Sequence, residues 1–220
     1  MALHLILLGP PASGKGTQGR RLAEREELAY LSTGALLREV LRNGGPVADE
    51  VRPTLAVGGY VSDSLMCDIL EDWLARHEDG WVLDGFPRTV AQDDFLKHWL
   101  AAKGQAVDGA LALEVPKAEL VQRIEERVEC PSCGWSGQTN QLKEGFQCPS
   151  CGEKAARRDD DSLENFMHRF EEYKEHTVPV IERYRALGML APVDASEPID
   201  VVSKCVEQAV NQLKSDGQKA

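Results

Sequence analysis

Residues Gly9-Pro10-Pro11-Ala12-Ser13-Gly14-Lys15-Gly16-Thr17 follow an apolar run over residues 3–8 and open a helical stretch over about 15–27. The apolar run is nearly continuous, the pattern of a strand buried on both faces. Strand, then G-x-x-x-x-G-K, then helix is the setting of a phosphate-binding loop. Glycines let backbone N–H groups converge on phosphate oxygens, and the helix N-terminus behind them adds its positive end. Lys15 supplies a mobile positive charge for the β- and γ-phosphates. The strict motif has Ser or Thr directly after the lysine, whereas here Gly16 intervenes before Thr17. The stretch predicts a nucleotide-binding α/β protein.

Further along the chain, short apolar runs alternate with helical stretches, the rhythm of a parallel sheet flanked by helices. Strands are expected at 29–31, 81–83, 109–115 and 189–193. Ser32-Thr33 and Ser62-Asp63 read as helix caps, and Pro46 and Pro116 as helix openers. A helix is expected from Pro116 to about Arg127, with Arg123 and Arg127 four apart and so on one face. A long helix resumes at Ser162 with a kink or break at Pro179, and the last runs over 198–213, before a short polar tail. Residues 128–160 break the rhythm and read as a small inserted subdomain. There are no internal repeats.

The chain has 220 residues, enough for one sizeable domain with an insert. It is 42% hydrophobic and 28% charged, so bulk disorder is excluded. No apolar run approaches the roughly 18–20 residues of a membrane span. The N-terminal run lacks the basic start and small-residue cleavage site of a secretory leader. The net charge of −11 argues against a chain that coats nucleic acid or anionic lipid. Residues 117–161 hold more acidic than basic side chains and no basic stripe, which argues further against nucleic acid.

Four of the six cysteines form Cys130-x2-Cys133 and Cys148-x2-Cys151, each in the sequence Cys-Pro-Ser-Cys-Gly. Such turns aim two sulfurs at one point, and four thiolates complete a tetrahedral zinc site with no open position, which makes the site structural. Iron with the same ligands, or disulfides or idle thiols, are the alternatives. A thiol metal site suits a reducing, cytoplasmic setting. Cys67 and Cys205 lie in apolar helical stretches and read as core.

The remaining chemistry is mostly arginine: Arg38, Arg88, Arg123, Arg127, Arg158 and Arg169. No histidine or carboxylate stands out as a general base. Transfer of phosphate to a phosphate acceptor needs none, because the acceptor oxygen, with a second pKa of about 6, is already ionised. Such a transfer instead needs charge cancelled: ATP and a nucleoside monophosphate together carry about −6. Asp84, ending an apolar strand, is placed to hold Mg²⁺ directly or through water. The run Asp159-Asp160-Asp161 reads as partners for nearby arginines or a solvated acidic face.

These residues together resemble the adenylate kinases, in their long form with a zinc-bearing lid. The resemblance spans about 3–202 and rests on Gly14-Lys15-Gly16-Thr17-Gln18, Leu31-Ser32-Thr33-Gly34, Asp84-Gly85-Phe86-Pro87-Arg88-Thr89, Gln92, the four cysteines and Arg158-Asp159-Asp160-Asp161. It implies a P-loop nucleoside monophosphate kinase fold: a core of 1–31, 62–127 and 161–220, an NMP-binding insert at 32–61, and a zinc lid at 128–160. It implies an AMP site of Thr33, Arg38, Gly59, Tyr60, Val61, Gly85, Arg88, Gln92, Arg158 and Arg169, with Gln92 reading the adenine edge. The ATP site it implies comprises Ala12, Ser13, Gly14, Lys15, Gly16, Thr17, Arg123 and Arg127, with Ser136, Gly137 and Glu197 at the far end. Arg158 and Arg169 would clamp the transferring phosphoryl group beside Lys15, Arg88 and Arg127. A cytoplasmic monomer acting on ATP, AMP and ADP, away from nucleic acid and membranes, is the family expectation.

Three positions depart from the family pattern. Ala12 stands where glycine is usual, Ala35 where an aspartate near the magnesium shell is usual, and Ser64 where glutamate is usual. The expected reaction is reversible phosphoryl transfer from Mg·ATP to AMP. The rivals are a kinase with a CMP or UMP acceptor or a GTP donor and, more distantly, an ATPase switch that uses its zinc module to bind a partner.

Overall fold

A computed structural model describes residues 2–158 and 160–217. Five strands form the main sheet: β1 (His4–Leu8), β2 (Ala29–Ser32), β3 (Trp81–Asp84), β4 (Gly109–Glu114) and β7 (Leu190–Asp194). Their spatial order is β2-β3-β1-β4-β7, and every pairing is parallel. Parallel strands are joined by helical crossovers that cover both faces, which is why all of β1 is buried. Ile6, Leu8 and Leu83 face one apolar cluster, closed by α2 (Thr33–Asn43), α4 (Asp63–Leu74), α5 (Val90–Ala101) and α8 (Val178–Ala186). Leu5, Leu7, Val82 and Leu111 face the other, closed by α1 (Lys15–Glu26) and α9 (Ile199–Gly217).

The parallel arrangement puts the loops after all five strands on one edge, where ligands of open α/β sheets bind. Gly9 follows β1 there at φ +143°, and a Cβ on it would lie 2.7 Å from the Leu113 carbonyl oxygen. Only glycine lets the loop leave the sheet at that point. Two segments rise over this edge. One is the helix pair α2 and α3 (Pro46–Ala56), with Pro46 in the first turn of α3 as expected. The other is the cysteine-bearing insert, whose hairpin pairs β5 (Arg127–Glu129) with β6 (Ser136–Gln138) antiparallel. Its cysteine cluster packs Cys130, Cys148 and Ala155 together, with Trp135 and Leu142 against them.

Several local expectations change. Helix α6 (Lys117–Glu126) ends one residue before Arg127, which opens β5. Arg123 and Arg127 therefore do not share a helical face: the hairpin requires extended backbone, and Arg127 turns to Asp161 instead. The break near Pro179 is a single π turn (Tyr173–Thr177) between α7 (Leu163–Glu172) and α8, in which Val178 N–H donates to the Tyr173 carbonyl. Proline has no N–H to donate, and it falls in the first turn of α8 where none is required. The last helix runs on to Gly217, past the expected start of a polar tail; residues 218–220 and Asp159 lie outside the described residues. Among the described residues no helix is long and apolar enough to cross a membrane.

Candidate active site

The sheet edge and the two overhanging segments enclose a cleft of about 2210 Å³. That is more than twice the roughly 1,000 Å³ at the upper end of ordinary ligand pockets, so there is room for two nucleotides. Residues 12–17 form its floor at the start of α1. Ala12 takes φ +65°, the left-handed region, which is why glycine suits this position. Lys15 Nζ donates to the carbonyls of Gly9 at 2.8 Å and Pro10 at 2.7 Å. Burial pulls its pKa down to about 8, against the attraction of Asp84 and with repulsion from Arg88 and Arg127. The ammonium is thus folded back onto its own loop.

Asp84 ends β3 on the same floor, 6% exposed. Its Oδ2 accepts a hydrogen bond from the Tyr30 hydroxyl at 2.8 Å, a contact that no sequence motif announced. The geometry depends on one glycine of α1: a Cβ on Gly19 would lie 2.6 Å from the Tyr30 ring, whereas one on Gly16 would only touch Asp84 Oδ2 at an ordinary 3.7 Å. Burial, together with the Asp84 charge, pushes the Tyr30 hydroxyl well above its ordinary pKa, so it stays a donor. Ala35, at the start of α2, lines the cleft and brings no carboxylate.

On one wall lie Gly59, Tyr60, Gly85, Arg38 and Arg88. Arg88 Nε donates to the Gly85 carbonyl at 2.8 Å, and its guanidinium lies 4.6 Å from the centre of the Tyr60 ring. Thr33 is buried behind this wall, its hydroxyl donating to the Gly85 carbonyl at 2.8 Å. Val61 is buried too. Gln92 also lies beneath the wall: its carbonyl accepts from Arg88 N–H, and its amide donates to Asp63, both at 2.8 Å. It organises Arg88 and has no free edge in the cleft as it stands. Ser64, beside Asp63, stays on the exposed start of α4 with its hydroxyl 3.4 Å from Ser62, and nothing in the structure explains its departure from the family pattern.

Arg123, Arg127, Arg158 and Arg169 also line the cleft, with Ser136, Gly137 and Glu197; Arg169 packs against Gly58. Each arginine already holds a resident acceptor. Arg123 pairs with Glu119 and donates to the Ala195 carbonyl at 2.7 Å. Arg127 grips Asp161 with two N–H groups, the Nε contact at 2.7 Å. Arg169 pairs with Asp160, whose pKa falls below the ordinary carboxylate range because that pairing outweighs its burial. Arg158 pairs with Glu129. The acidic run thus serves as arginine partners at Asp160 and Asp161. Neither Glu129 nor Tyr30 carried a sequence signal, since each acts through a partner remote in the chain.

The cysteines sit in the roof, and Pro131, Ser132 and Gly134 of their turns face the cleft. Their four sulfurs lie within 4.8 Å of one another, with Cys130–Cys151 at 3.5 Å and Cys133–Cys148 at 3.7 Å. Zinc bonded to sulfur at about 2.3 Å sets tetrahedral edges of about 3.8 Å, so the cluster fits the ion. Burial raises the Cys130 thiol pKa, but backbone N–H groups of Cys133 and Ser132 outweigh it and bring it down to about 7. Cys67 is buried in the core and Cys205 packs at its margin, as expected.

Against known proteins, the adenylate kinase family model matches residues 7–189. The chain belongs to the adenylate kinase family. It is 38% identical to the adenylate kinase of Paracoccus denitrificans over 216 residues, covering 97% of this chain and 99% of that one. The adenylate kinase of Archaeoglobus fulgidus is 36% identical over 217 residues, covering 97% and 100%. That of Lachnospira eligens is 36% identical over 204 residues, covering 91% and 96%. An adenylate kinase accounts for a cleft of this size with a phosphate loop on its floor and arginines around it.

Proposed function

We propose that the chain catalyses reversible transfer of the γ-phosphoryl group of Mg·ATP to AMP, giving two ADP. The observation that carries this reading is the phosphate loop and the arginines that line one cleft with room for two nucleotides. In this reading residues 32–61 hold AMP, 128–160 form the lid over ATP, and 1–31, 62–127 and 161–220 form the core. The protein acts as a monomer in the cytoplasm, away from nucleic acid and membranes.

The reaction is one of position and charge. The loop N–H groups of residues 12–17 and the positive end of α1 receive the ATP phosphates. Lys15 exchanges the carbonyls of Gly9 and Pro10 for phosphate oxygens. Arg38 and Arg88 orient the AMP phosphate in line with the γ-phosphorus, with Thr33, Gly59, Tyr60, Val61, Gly85 and Gln92 shaping its pocket. Arg123, Arg127, Arg158 and Arg169 lie along the path of the transferring group and oppose the charge that spreads over its oxygens. No proton has to be removed from the acceptor. Ser136, Gly137 and Glu197 close the outer end, excluding water that would compete as acceptor. Magnesium arrives with ATP and neutralises phosphate charge, and Asp84, oriented by Tyr30, would hold it through water. Zinc on Cys130, Cys133, Cys148 and Cys151 would make the lid rigid; the sulfur spacing supports it, and metal analysis of purified protein checks it.

The test is ADP formation from Mg·ATP with AMP, CMP, UMP, GMP or no acceptor. The expected result is turnover dependent on AMP. Preference for CMP or UMP, a better GTP donor, or ADP formation without acceptor would replace this reading.

A further inference from the structure

Thr177 has no role in the mechanism above, yet it lines the cleft and is 4% exposed. It closes the π turn Tyr173–Thr177. A π turn holds one residue more than an α turn, and such turns recur at functional sites. A threonine inside a helix ordinarily bonds its hydroxyl back to a carbonyl three or four residues earlier. Among the described residues this hydroxyl makes two hydrogen bonds, and neither stays in its own helix. It donates to the Arg88 carbonyl, 89 positions away, at 3.0 Å. With its one proton placed there, Oγ1 accepts from the Tyr60 hydroxyl at 3.3 Å.

Both partners converge on one guanidinium. The Arg88 N–H is held by the Gln92 side-chain carbonyl and the Arg88 carbonyl by Thr177, so the backbone is fixed on both sides of its Cα. The side chain is aimed by the Gly85 carbonyl at Nε and by the Tyr60 ring, whose centre lies 4.6 Å from the guanidinium. Tyr60 is itself steered by its bond to Thr177. One hydroxyl thus sets both the backbone from which Arg88 springs and the ring against which it lies. Arg88 follows β3 and Tyr60 follows α3, so the junction of α7 and α8 is a third element that holds the two in register. None of these groups belongs to the ATP set of residues 12–17, Arg123 and Arg127.

We propose that Thr177 is a positioning residue for the acceptor: its hydroxyl keeps Arg88 and Tyr60 in the relative placement that receives the phosphate of the nucleoside monophosphate. Without the hydroxyl, the Arg88 carbonyl loses its donor and the Tyr60 ring loses its anchor. A shift of about 1 Å in an orienting group can cost about 10²-fold in rate. The inference rests on the assignment of Arg88 to the AMP phosphate.

Steady-state kinetics of wild type, Thr177→Val, Thr177→Ser and Arg88→Ala, with AMP and ATP each varied, tests it. Valine keeps the shape of threonine and removes the hydroxyl. The expected result is a kcat/KM for AMP lowered about ten- to a hundredfold in T177V, with KM for ATP nearly unchanged. T177S keeps the hydroxyl and recovers most of the loss. Because Thr177 acts through Arg88, T177V costs nothing further on the R88A background, read as a double-mutant cycle. An equal loss on both backgrounds overturns the proposal. So does a T177V whose Tm falls while KM for AMP and ATP move together, the mark of a merely structural threonine. Tyr60→Phe keeps the ring and removes the donor to Thr177, so it should lose about two- to tenfold in kcat/KM for AMP. It serves where T177V does not fold, and wild-type kinetics in Y60F then overturn the inference. T177V with wild-type kinetics beside a crippled R88A removes Thr177 alone, whereas R88A with wild-type AMP kinetics removes the AMP assignment and the Thr177 inference together.

Discussion

Leu5, Ile6, Leu7 and Leu111 are fully buried in two clusters on either side of the five-stranded sheet, whereas the insert buries Cys130, Cys148 and Ala155 and little else. The core is stabilised by apolar area removed from water. An insert of about 30 residues has too little such area to fold by it, and relies on four converging thiolates and on ion pairs made at its base. The difference matters for catalysis. Apolar packing fixes the floor of the cleft, while the roof is attached through arginine–carboxylate contacts, the same kind of bond that phosphates make.

The comparison breaks most visibly if the insert survives loss of its metal. Cys130→Ser, or chelation, is expected to melt the insert while the core transition stays within a few degrees. Structural zinc contributes about 10–16 kcal/mol in small domains. Calorimetry with metal analysis checks this, and a zinc-free protein with an ordered insert refutes it. Arg88→Ala tests the boundary between the regions: kcat should fall about 10²–10³-fold, as for loss of one transition-state donor, with both thermal transitions kept. Unchanged kinetics would remove Arg88 from the reaction. Leu111→Ala is the mirror of the cysteine variant. It should cost about 2–5 kcal/mol of core stability with zinc content unchanged, measured by denaturant unfolding.

Smaller effects sharpen the account of the floor. With its pKa near 8, Lys15 is partly deprotonated in the free enzyme at pH 8.5, and bound phosphates favour the ammonium. ATP binding should therefore take up a fraction of a proton as pH rises through about 8, and weaken as pH rises further. Below about pH 7 the uptake vanishes. Titration calorimetry in buffers of different ionisation enthalpy reads it directly, and proton release would contradict it. The smallest effect is at Ala12: Ala12→Gly relieves the left-handed backbone and should add about 0.5–1 kcal/mol after glycine's extra unfolded-state entropy. A stability loss in thermal melts would show that the methyl group packs better than its φ suggests.

Much of the site was legible before any coordinates. The loop over 9–17, the strand ending at Asp84 and the paired cysteines are each contiguous, so short-range chemistry declares them. The strands fell within a residue or two of expectation because a parallel sheet buried on both faces requires unbroken apolar runs. Arg127 was misplaced because the helical spacing of Arg123 and Arg127 says nothing of the hairpin that begins between them. The contact of Gln92 with Asp63 has no local signal, since the two lie 29 residues apart.

The sequence by itself determined the phosphate loop, the alternation that builds the sheet, the four-thiolate knuckle and the store of arginines, because each depends on neighbours along the chain. Only the tertiary structure decided which carboxylate holds which arginine: Asp161 on Arg127 across 34 residues, Glu129 between Arg38 and Arg158, and Tyr30 on Asp84 across 54. All arginines and carboxylates are chemically alike as partners. The choice among them follows from where the sheet edge, α2 and the knuckle bring their backbones within reach.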